Sequence, residues 1–245
     1  MKLETQIVAA AALDRRERDR MFALMDRYYA GMNRAAFESD LNEKQWVILL
    51  RERDSHAICG FSTQMILEFV VDGTPMHALF SGDTIVERRC WGQSLLAQAW
   101  GELAIELIDR YPHGSLYWFL ISKGYKTFRY LPLFFREYYP RRATVTPSWA
   151  QAMIDALGRH KYPQTYDPST GIIRADATAC RLRRDVAAVT GGRLRDPEVR
   201  FFVEKNPGHE RGDELCCIAP LTRENFSVAA ARPLRRIQAI QVALG

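Results

Sequence analysis

A turn between an expected strand and an expected helix carries the clearest chemical signal. Residues 88–96 read Arg-Arg-Cys-Trp-Gly-Gln-Ser-Leu-Leu. They follow the β-prone stretch Met76–Val86 and open an amphipathic pattern that runs from Ser94 to Ile108. A turn at the start of a helix points free backbone N–H groups, and the positive end of the helix dipole, toward one place. The segment therefore predicts a pyrophosphate-binding site.

The strand before this turn offers a candidate general base. If that strand is regular, alternate side chains share one face, among them His77, Ser81 and Asp83. Asp83 stands at the end of the strand, where a carboxylate could take a proton directly or through water. A purely structural role is equally open, because Asp83 could cap the turn or pair with Arg88 or Arg89.

The elements around these residues follow from hydrophobic spacing and turn signals. The first half predicts a strand and two helices, at Thr5–Ala11, Leu13–Tyr29 and Asn33–Lys44. Three strands then form an antiparallel meander with a turn at Asp72-Gly73, at Trp46–Leu50, Ala57–Val71 and Met76–Val86. The buried strand Leu116–Ile121 follows the helix of Ser94–Ile108 and is expected to lie parallel to the strand before that helix.

The second half is predicted in less detail. Helices are expected at Tyr125–Tyr139 (interrupted by Pro132), Ser148–His160 and Arg181–Ala188. Two last strands are expected at Val199–Glu204 and Glu214–Ala219, joined by the polar loop Asn206–Asp213.

This order of elements, with Arg89, Gly92 and Ser94 in the turn, resembles the GCN5-related N-acetyltransferase (GNAT) superfamily. Ser94 stands where the family has a second glycine or alanine, and the bulky Cys90 and Trp91 also depart from its pattern. The resemblance implies an α/β fold with a GNAT-like mixed sheet, an antiparallel meander followed by a parallel strand pair, flanked by helices. It would be one domain over residues 1–245, extended at about 140–200.

The resemblance also implies an activity: transfer of an acyl group from a thioester to a small-molecule amine by direct attack in a ternary complex. The donor would be acetyl-CoA, a longer acyl-CoA or an acyl group on a phosphopantetheine carrier. The expected donor-binding residues are Thr84, Ile85, Val86, Arg89, Trp91, Gly92, Gln93 and Ser94. Asp83 would be the base and Tyr125 or Tyr130 the acid. Residues expected to recognise the acceptor are His77, Ser81, His209, Asp213 and Glu214.

The segment Lys123–Arg142 is unusual because it combines seven aromatic residues with six basic ones and a single acid. Its local charge of +5 equals the net charge of the chain. Such a segment could bind RNA, dock an acyl carrier protein or line a pocket for a bulky acyl chain. It could equally be an amphipathic helix with core aromatics and solvated arginines. A non-catalytic binding module and an RNA-binding protein therefore remain alternatives to an enzyme.

Composition excludes other classes. Hydrophobic residues make up 47% and charged residues 26%, as in folded globular proteins. The five cysteines and five histidines show neither a CxxC nor an HxxxH pattern, so no metal site is expected. The chain offers no targeting or membrane-spanning run, and a cytoplasmic protein is expected.

Overall fold

The computed structural model describes residues 2–111, 114–176 and 178–230. Its strands are β1 (Leu3–Ala9), β2 (Tyr29–Ala30), β3 (Trp46–Glu52), β4 (Ile58–Val71), β5 (Thr74–Val86), β6 (Leu116–Ser122), β7 (Tyr166–Asp167), β8 (Ile172–Ile173), β9 (Arg181–Leu182) and β10 (Glu214–Pro220). Its helices are α1 (Arg15–Tyr28), α2 (Arg34–Glu43), α3 (Leu95–Arg110), α4 (Tyr125–Phe128), α5 (Tyr130–Phe134), α6 (Ser148–Lys161), α7 (Arg184–Ala187) and α8 (Pro197–Lys205).

Eight of these strands form one mixed sheet in the order β1-β3-β4-β5-β6-β10-β8-β7. Neighbouring strands are antiparallel except β5 and β6, which are parallel. The connection from β5 to β6 runs through α3. The expected fold class, an antiparallel meander followed by a parallel pair and flanked by helices, is confirmed.

Helices cover both faces of the sheet. On one face α3 packs Trp100, Leu103 and Leu107 against the side chains of β5, β6 and β10. On the other face α1 and α2 cover the β3–β4 end, and α6 covers the region of β6, β8 and β10. The sheet is therefore buried on both sides at its centre, where β5 and β6 meet.

Two local signals of the first half behave as expected. Asn33 caps α2, because its side chain accepts a hydrogen bond from the Ala36 amide at 3.0 Å. The β4–β5 hairpin turns at Asp72 and Gly73, whose φ angles are 48° and 76°.

Predictions for the second half were partly wrong. The expected helix of Tyr125–Tyr139 is two short helices, and the break falls at Arg129 rather than at Pro132. Pro132 lies in the first turn of α5, where a missing N–H costs little. Only 184–187 of the expected helix Arg181–Ala188 is helical.

The expected strand Val199–Glu204 is wrong, since these residues belong to α8. The helix has a start signal, because Asp196 accepts a hydrogen bond from the Glu198 amide at 2.9 Å and Pro197 follows it. The loop 206–213 therefore joins a helix to β10 and does not form a hairpin between two strands.

Candidate active site

A cleft opens where the two parallel strands separate. The pairing of β5 with β6 covers only His77–Ser81 against Leu116–Leu120, although β5 continues to Val86. Beyond Ser81 the strands diverge and leave a cleft of about 810 Å³. Its walls come from the ends of β5 and β6, the turn before α3, the short helices α4 and α5, and the α1–α2 region.

A β-bulge at the point of divergence sets the direction of Asp83. Ser62 of β4 pairs with Thr84 and Gln64 with Ser81, so Gly82 and Asp83 together oppose the single residue Thr63. A Cβ at position 82 would lie 2.7 Å from Thr63 Oγ1 and 2.9 Å from Lys44 Cε, so only glycine fits there.

Because of the bulge, the expected alternation of side chains along β5 is wrong beyond Ser81. Ser81 faces the α3 side, where Trp118 Nε1 donates a hydrogen bond to its hydroxyl at 2.9 Å. The charges that act on Asp83 belong to the cleft on the other side of the strand, on Asp40, Lys44, Lys123 and Glu214. Asp83 therefore does not share a face with Ser81, because the extra residue reverses the order of alternation.

Asp83 is a half-buried carboxyl group with a raised pKa. Burial and the neighbouring Asp40 carboxylate raise the pKa of Asp83, the ammonium groups of Lys123 and Lys44 lower it, and together they bring it to about 6. Asp83 forms no hydrogen bond or ion pair within the described part of the chain, so its carboxylate is available to a ligand.

The two neighbouring acids are already paired. Lys44 Nζ lies 2.6 Å from Asp40 Oδ1, and Lys123 Nζ lies 3.3 Å from Glu214 Oε1. Burial disfavours the charge on Lys123, but the Glu214 carboxylate and other neighbours raise its pKa well above the usual value. Burial raises the pKa of Glu214. With two neutral pairs beside it, Asp83 supplies the net negative charge of the inner cleft.

The turn before α3 lines the opposite end of the cleft. Gly92 has a φ of 86°, the left-handed conformation that favours glycine. Ser94 precedes the helix but its side chain does not cap it; its hydroxyl instead accepts a hydrogen bond from Gln98 Nε2 at 2.7 Å. The first amides of the 16-residue helix α3 thus have no side-chain acceptor from Ser94.

Basic and aromatic groups surround this turn. Trp91 Nε1 donates to the Val86 carbonyl at 2.7 Å, and Lys126 Nζ lies 4.1 Å from the Trp91 ring centroid. Burial lowers the pKa of Lys126, and the nearby Arg193 and Arg88 lower it further. Because these cations repel one another, a bound anion would stabilise them.

Most of the predicted donor residues line the cleft, namely Thr84, Ile85, Val86, Trp91, Gly92 and Gln93. Arg89 and Ser94 do not. The Arg89 guanidinium pairs with Glu87 at 2.7 Å and with Glu52, which turns it away from the cleft. Both predicted acids, Tyr125 and Tyr130, line the cleft, and burial raises the pKa of Tyr130.

The predicted acceptor residues are mostly elsewhere. Only Glu214 lines the cleft. His77 stacks on Tyr111 at the far end of α3, with ring centroids 4.4 Å apart. His209 packs against Phe202, and Asp213 accepts a hydrogen bond from the Ala175 amide at 2.9 Å. The expectation for His209 and Asp213 rested on a hairpin that is not there.

Several residues of the inner cleft were not predicted from the sequence. Lys123 was predicted only as part of the basic segment 123–142. The missed ones share no motif and come from distant elements: Tyr29, Asp40, Lys44, Tyr162 and Cys180. Burial raises the pKa of Tyr29 above its usual value. No local pattern could have found these residues, because only the tertiary fold brings them to Asp83.

The basic aromatic segment 123–142 does not form a single charged face. Tyr125, Phe128 and Phe135 are core residues, as are Tyr138 and Tyr139. Lys123, Arg129 and Arg142 pair with acids: Glu214, Asp196 and Glu198. The aromatics are therefore used mainly for packing, as the core alternative predicted.

Within 2–111, 114–176 and 178–230, no cluster of three or more histidines, cysteines or acids is suited to a metal ion. Over the same ranges, no helix is both long and apolar enough to cross a bilayer.

Comparisons with known proteins give likenesses of fold at low identity. No family model matches the chain, and no curated protein matches it. A protein of unknown function from Enterococcus faecalis V583, titled a probable N-acyltransferase, is 12% identical with a TM-score of 0.41, over 53% of this chain and 32% of its own. Saccharomyces cerevisiae N-myristoyltransferase with bound myristoyl-CoA is 11% identical with a TM-score of 0.40, over 49% of this chain and 29% of its own.

A third similar structure is a GNAT family N-acetyltransferase from Escherichia coli in complex with CoA. It is 16% identical with a TM-score of 0.36, over 50% of this chain and 65% of its own. The match thus spans about a third of the first two proteins. The sheet order of this chain and its parallel β5–β6 pair agree with the architecture expected from its sequence.

Proposed function

We propose that this protein is an N-acyltransferase that moves an acyl group from a phosphopantetheine thioester, with CoA as the carrier, to a small amine. The observation that carries the proposal is the position of Asp83. This unpaired, half-buried carboxyl group has a pKa raised to about 6 and lies where β5 and β6 diverge. A general base is most effective when its pKa is near the working pH.

The turn before α3 fits the phosphates of the donor. Gly92 turns the backbone there without a side chain, and no heavy atom lies within 4 Å of its missing Cβ. The turn residues Trp91–Gln93, just before α3, and the cations Lys126 and Arg193 line the same cleft. The separated edge of β5 at Thr84–Val86 would take the pantetheine arm through main-chain hydrogen bonds.

The inner cleft suits an ammonium group. Asp83 has no partner of its own, and the Tyr29 and Phe80 rings line the same space. An incoming primary ammonium would pair with the Asp83 carboxylate and contact these rings. The acceptor is therefore a small amine.

The reaction is a direct transfer in a ternary complex. Asp83 removes a proton from the bound ammonium, and the free amine attacks the thioester carbonyl. The C–N bond forms and the attacking nitrogen loses its second proton to solvent. The C–S bond then breaks, and the sulfur leaves as a thiolate. Tyr130 is the proposed acid for that thiolate, because it lines the cleft and its raised pKa keeps the phenol protonated.

The test is an amine screen that follows thiol release from acetyl-, hexanoyl- and carrier-linked donors, with mass spectrometry of the product. We expect an amide product with at least one CoA donor, and a loss of about 100-fold or more in kcat/KM for Asp83→Asn. An active Asp83→Asn enzyme would refute the role of the base. The absence of any amide product, with donor binding also absent, would refute the function.

A further inference from the structure

A small apolar pocket adjoins the cleft beneath α3. Its walls come from β4, β5, β6, α3 and the α4–α5 region. Thr84, Thr127 and Tyr130 line both the pocket and the cleft, so the two spaces meet at these residues. The meeting point lies beside Ser81, the last residue of β5 that pairs with β6.

The strand side of the pocket has its hydroxyl groups already bonded within the protein. Ser62 Oγ and Thr84 Oγ1 lie 2.7 Å apart, and Gln64 Nε2 donates to Ser62 Oγ at 2.7 Å. Ser81 Oγ donates to Gln64 Oε1 at 2.6 Å and accepts from Trp118. An apolar ligand would therefore not strip these hydroxyl groups of their partners.

Apart from Thr127 and the buried Trp100 Nε1, which has no hydrogen-bond partner among the described residues, the remaining wall is aromatic and aliphatic. The Trp100 ring lies 4.5 Å from that of Trp118 and 6.4 Å from that of Phe134, measured between centroids. Leu96 and Leu120 add aliphatic surface, and Ala97 contributes only a methyl group from α3. Such a wall excludes charged and strongly hydrated groups.

The size of the pocket limits what can enter it. Its volume is about 40 Å³. A cavity needs about 10–15 Å³ of such volume to hold one water. The pocket therefore holds about three waters or a comparable number of methylene groups. An acetyl group, whose single methyl ends next to the carbonyl, would leave the pocket empty.

We propose that this pocket receives the tail of the transferred acyl group, and that the donor carries a saturated acyl chain of about four to six carbons rather than acetyl. The inference rests on the proposed function, because it needs a thioester at the point where the strands diverge. The carbonyl carbon and the carbon next to it stay in the cleft near Asp83, and the following two to four carbons pass Thr84 and Tyr130 into the pocket.

The test is calorimetric binding of CoA and of acetyl-, butanoyl-, hexanoyl- and decanoyl-CoA to the full chain. Burial of each methylene is expected to increase affinity about threefold to fourfold. We expect hexanoyl-CoA to bind about 10- to 50-fold more tightly than acetyl-CoA, and decanoyl-CoA to gain nothing further because the aromatic wall closes the pocket.

Ala97→Leu fills the pocket, and Glu102→Leu, exposed on the same helix, is the matched control. In Ala97→Leu the preference for hexanoyl over acetyl should fall to about threefold or less, with acetyl-CoA affinity within about twofold of wild type. The control should retain the full preference. Thermal unfolding of both variants shows whether the fold is intact.

Three other outcomes would overturn the inference. Equal affinity for CoA, acetyl-CoA and hexanoyl-CoA would reject the acyl pocket and leave the donor site standing. A wild-type preference that survives in Ala97→Leu would place the acyl tail elsewhere. Failure of CoA and of every acyl-CoA to bind would reject the proposed function together with the pocket.

Discussion

Replacing Asp83 with asparagine should make the protein more stable while removing most of its activity. The Asp83 side chain makes no hydrogen bond or ion pair with other described residues, so the substitution breaks no such contact, and it removes a half-buried charge. Substitutions that disturb an ordinary packed residue do the opposite and lower stability. The combination of greater stability with lost activity is typical of a functional group held in an unfavourable environment.

The size of the effect follows from the pKa. The pKa of Asp83 is about 6 in the folded protein, against about 3.9 for an aspartate in an unfolded chain. A difference of about two units corresponds to about 3 kcal/mol, at about 1.4 kcal/mol per unit. The buried amide has a smaller desolvation cost of its own, so we expect a net gain of about 1–2 kcal/mol in the free energy of unfolding.

The effect should depend on pH. The folded state binds this proton more tightly than the unfolded state, so the wild type loses stability as the pH rises from about 4 through about 6. The asparagine variant lacks this loss. The difference between the two proteins should therefore be small below about pH 4 and reach its maximum above about pH 7.

Urea unfolding from pH 4 to 8 measures this difference, with Asp54→Asn in an exposed turn as the control. The control should differ from wild type by less than about 0.5 kcal/mol at every pH. A wild-type advantage over Asp83→Asn at pH 8, or a difference that does not change with pH, would refute the interpretation of Asp83 as an unpaired, half-buried carboxylate.

The remaining predictions concern the rate, the ion pair and the turn. The kcat/KM for amide formation should rise with pH around the pKa of Asp83, about 6, and reach a plateau; a flat pH profile would count against Asp83 as the base. Lys123→Met leaves Glu214 buried without its cation and should lower the free energy of unfolding by about 3 kcal/mol in urea, with Lys123→Arg losing less; equal stability would contradict the pairing. Gly92→Ala should weaken CoA binding about 5- to 30-fold, because alanine strains the left-handed turn by about 1–2 kcal/mol and the free turn relieves that strain by leaving the conformation that binds CoA. Gly73→Ala, also at a positive φ with open space around it, carries the same strain in a distant hairpin and should leave calorimetric CoA affinity unchanged.

The first half of the fold could be predicted because its signals are local. Asn33 is a helix cap, Asp72-Gly73 is a hairpin turn, and the apolar stripe of α3 has helical spacing. The parallel pairing of β6 followed from the single helix between two strands. The prediction of a strand at Val199–Glu204 was wrong because it followed the β-prone residues there and neglected the helix-start signal of Asp196 and Pro197.

The site could be predicted only in part, for two physical reasons. Strict alternation of side chains cannot predict a β-bulge. The prediction from the sequence therefore put Asp83 on the wrong face of β5. The inner cleft also depends on long-range pairs, such as Lys123 with Glu214, whose members lie about 90 residues apart in the chain. The turn residues predicted to bind the donor could be placed at the cleft from the sequence, because a helix start is a local signal.

The central claim is that the separated end of β5 and the turn before α3 hold a CoA thioester. Hydrogen exchange of the full chain with and without saturating CoA tests it most directly. We expect slower exchange at the amides of 82–86 and 91–97, and no change in α6, which packs on β4 and β10. Protection confined to other elements, or unchanged exchange at saturating CoA, would contradict the claim.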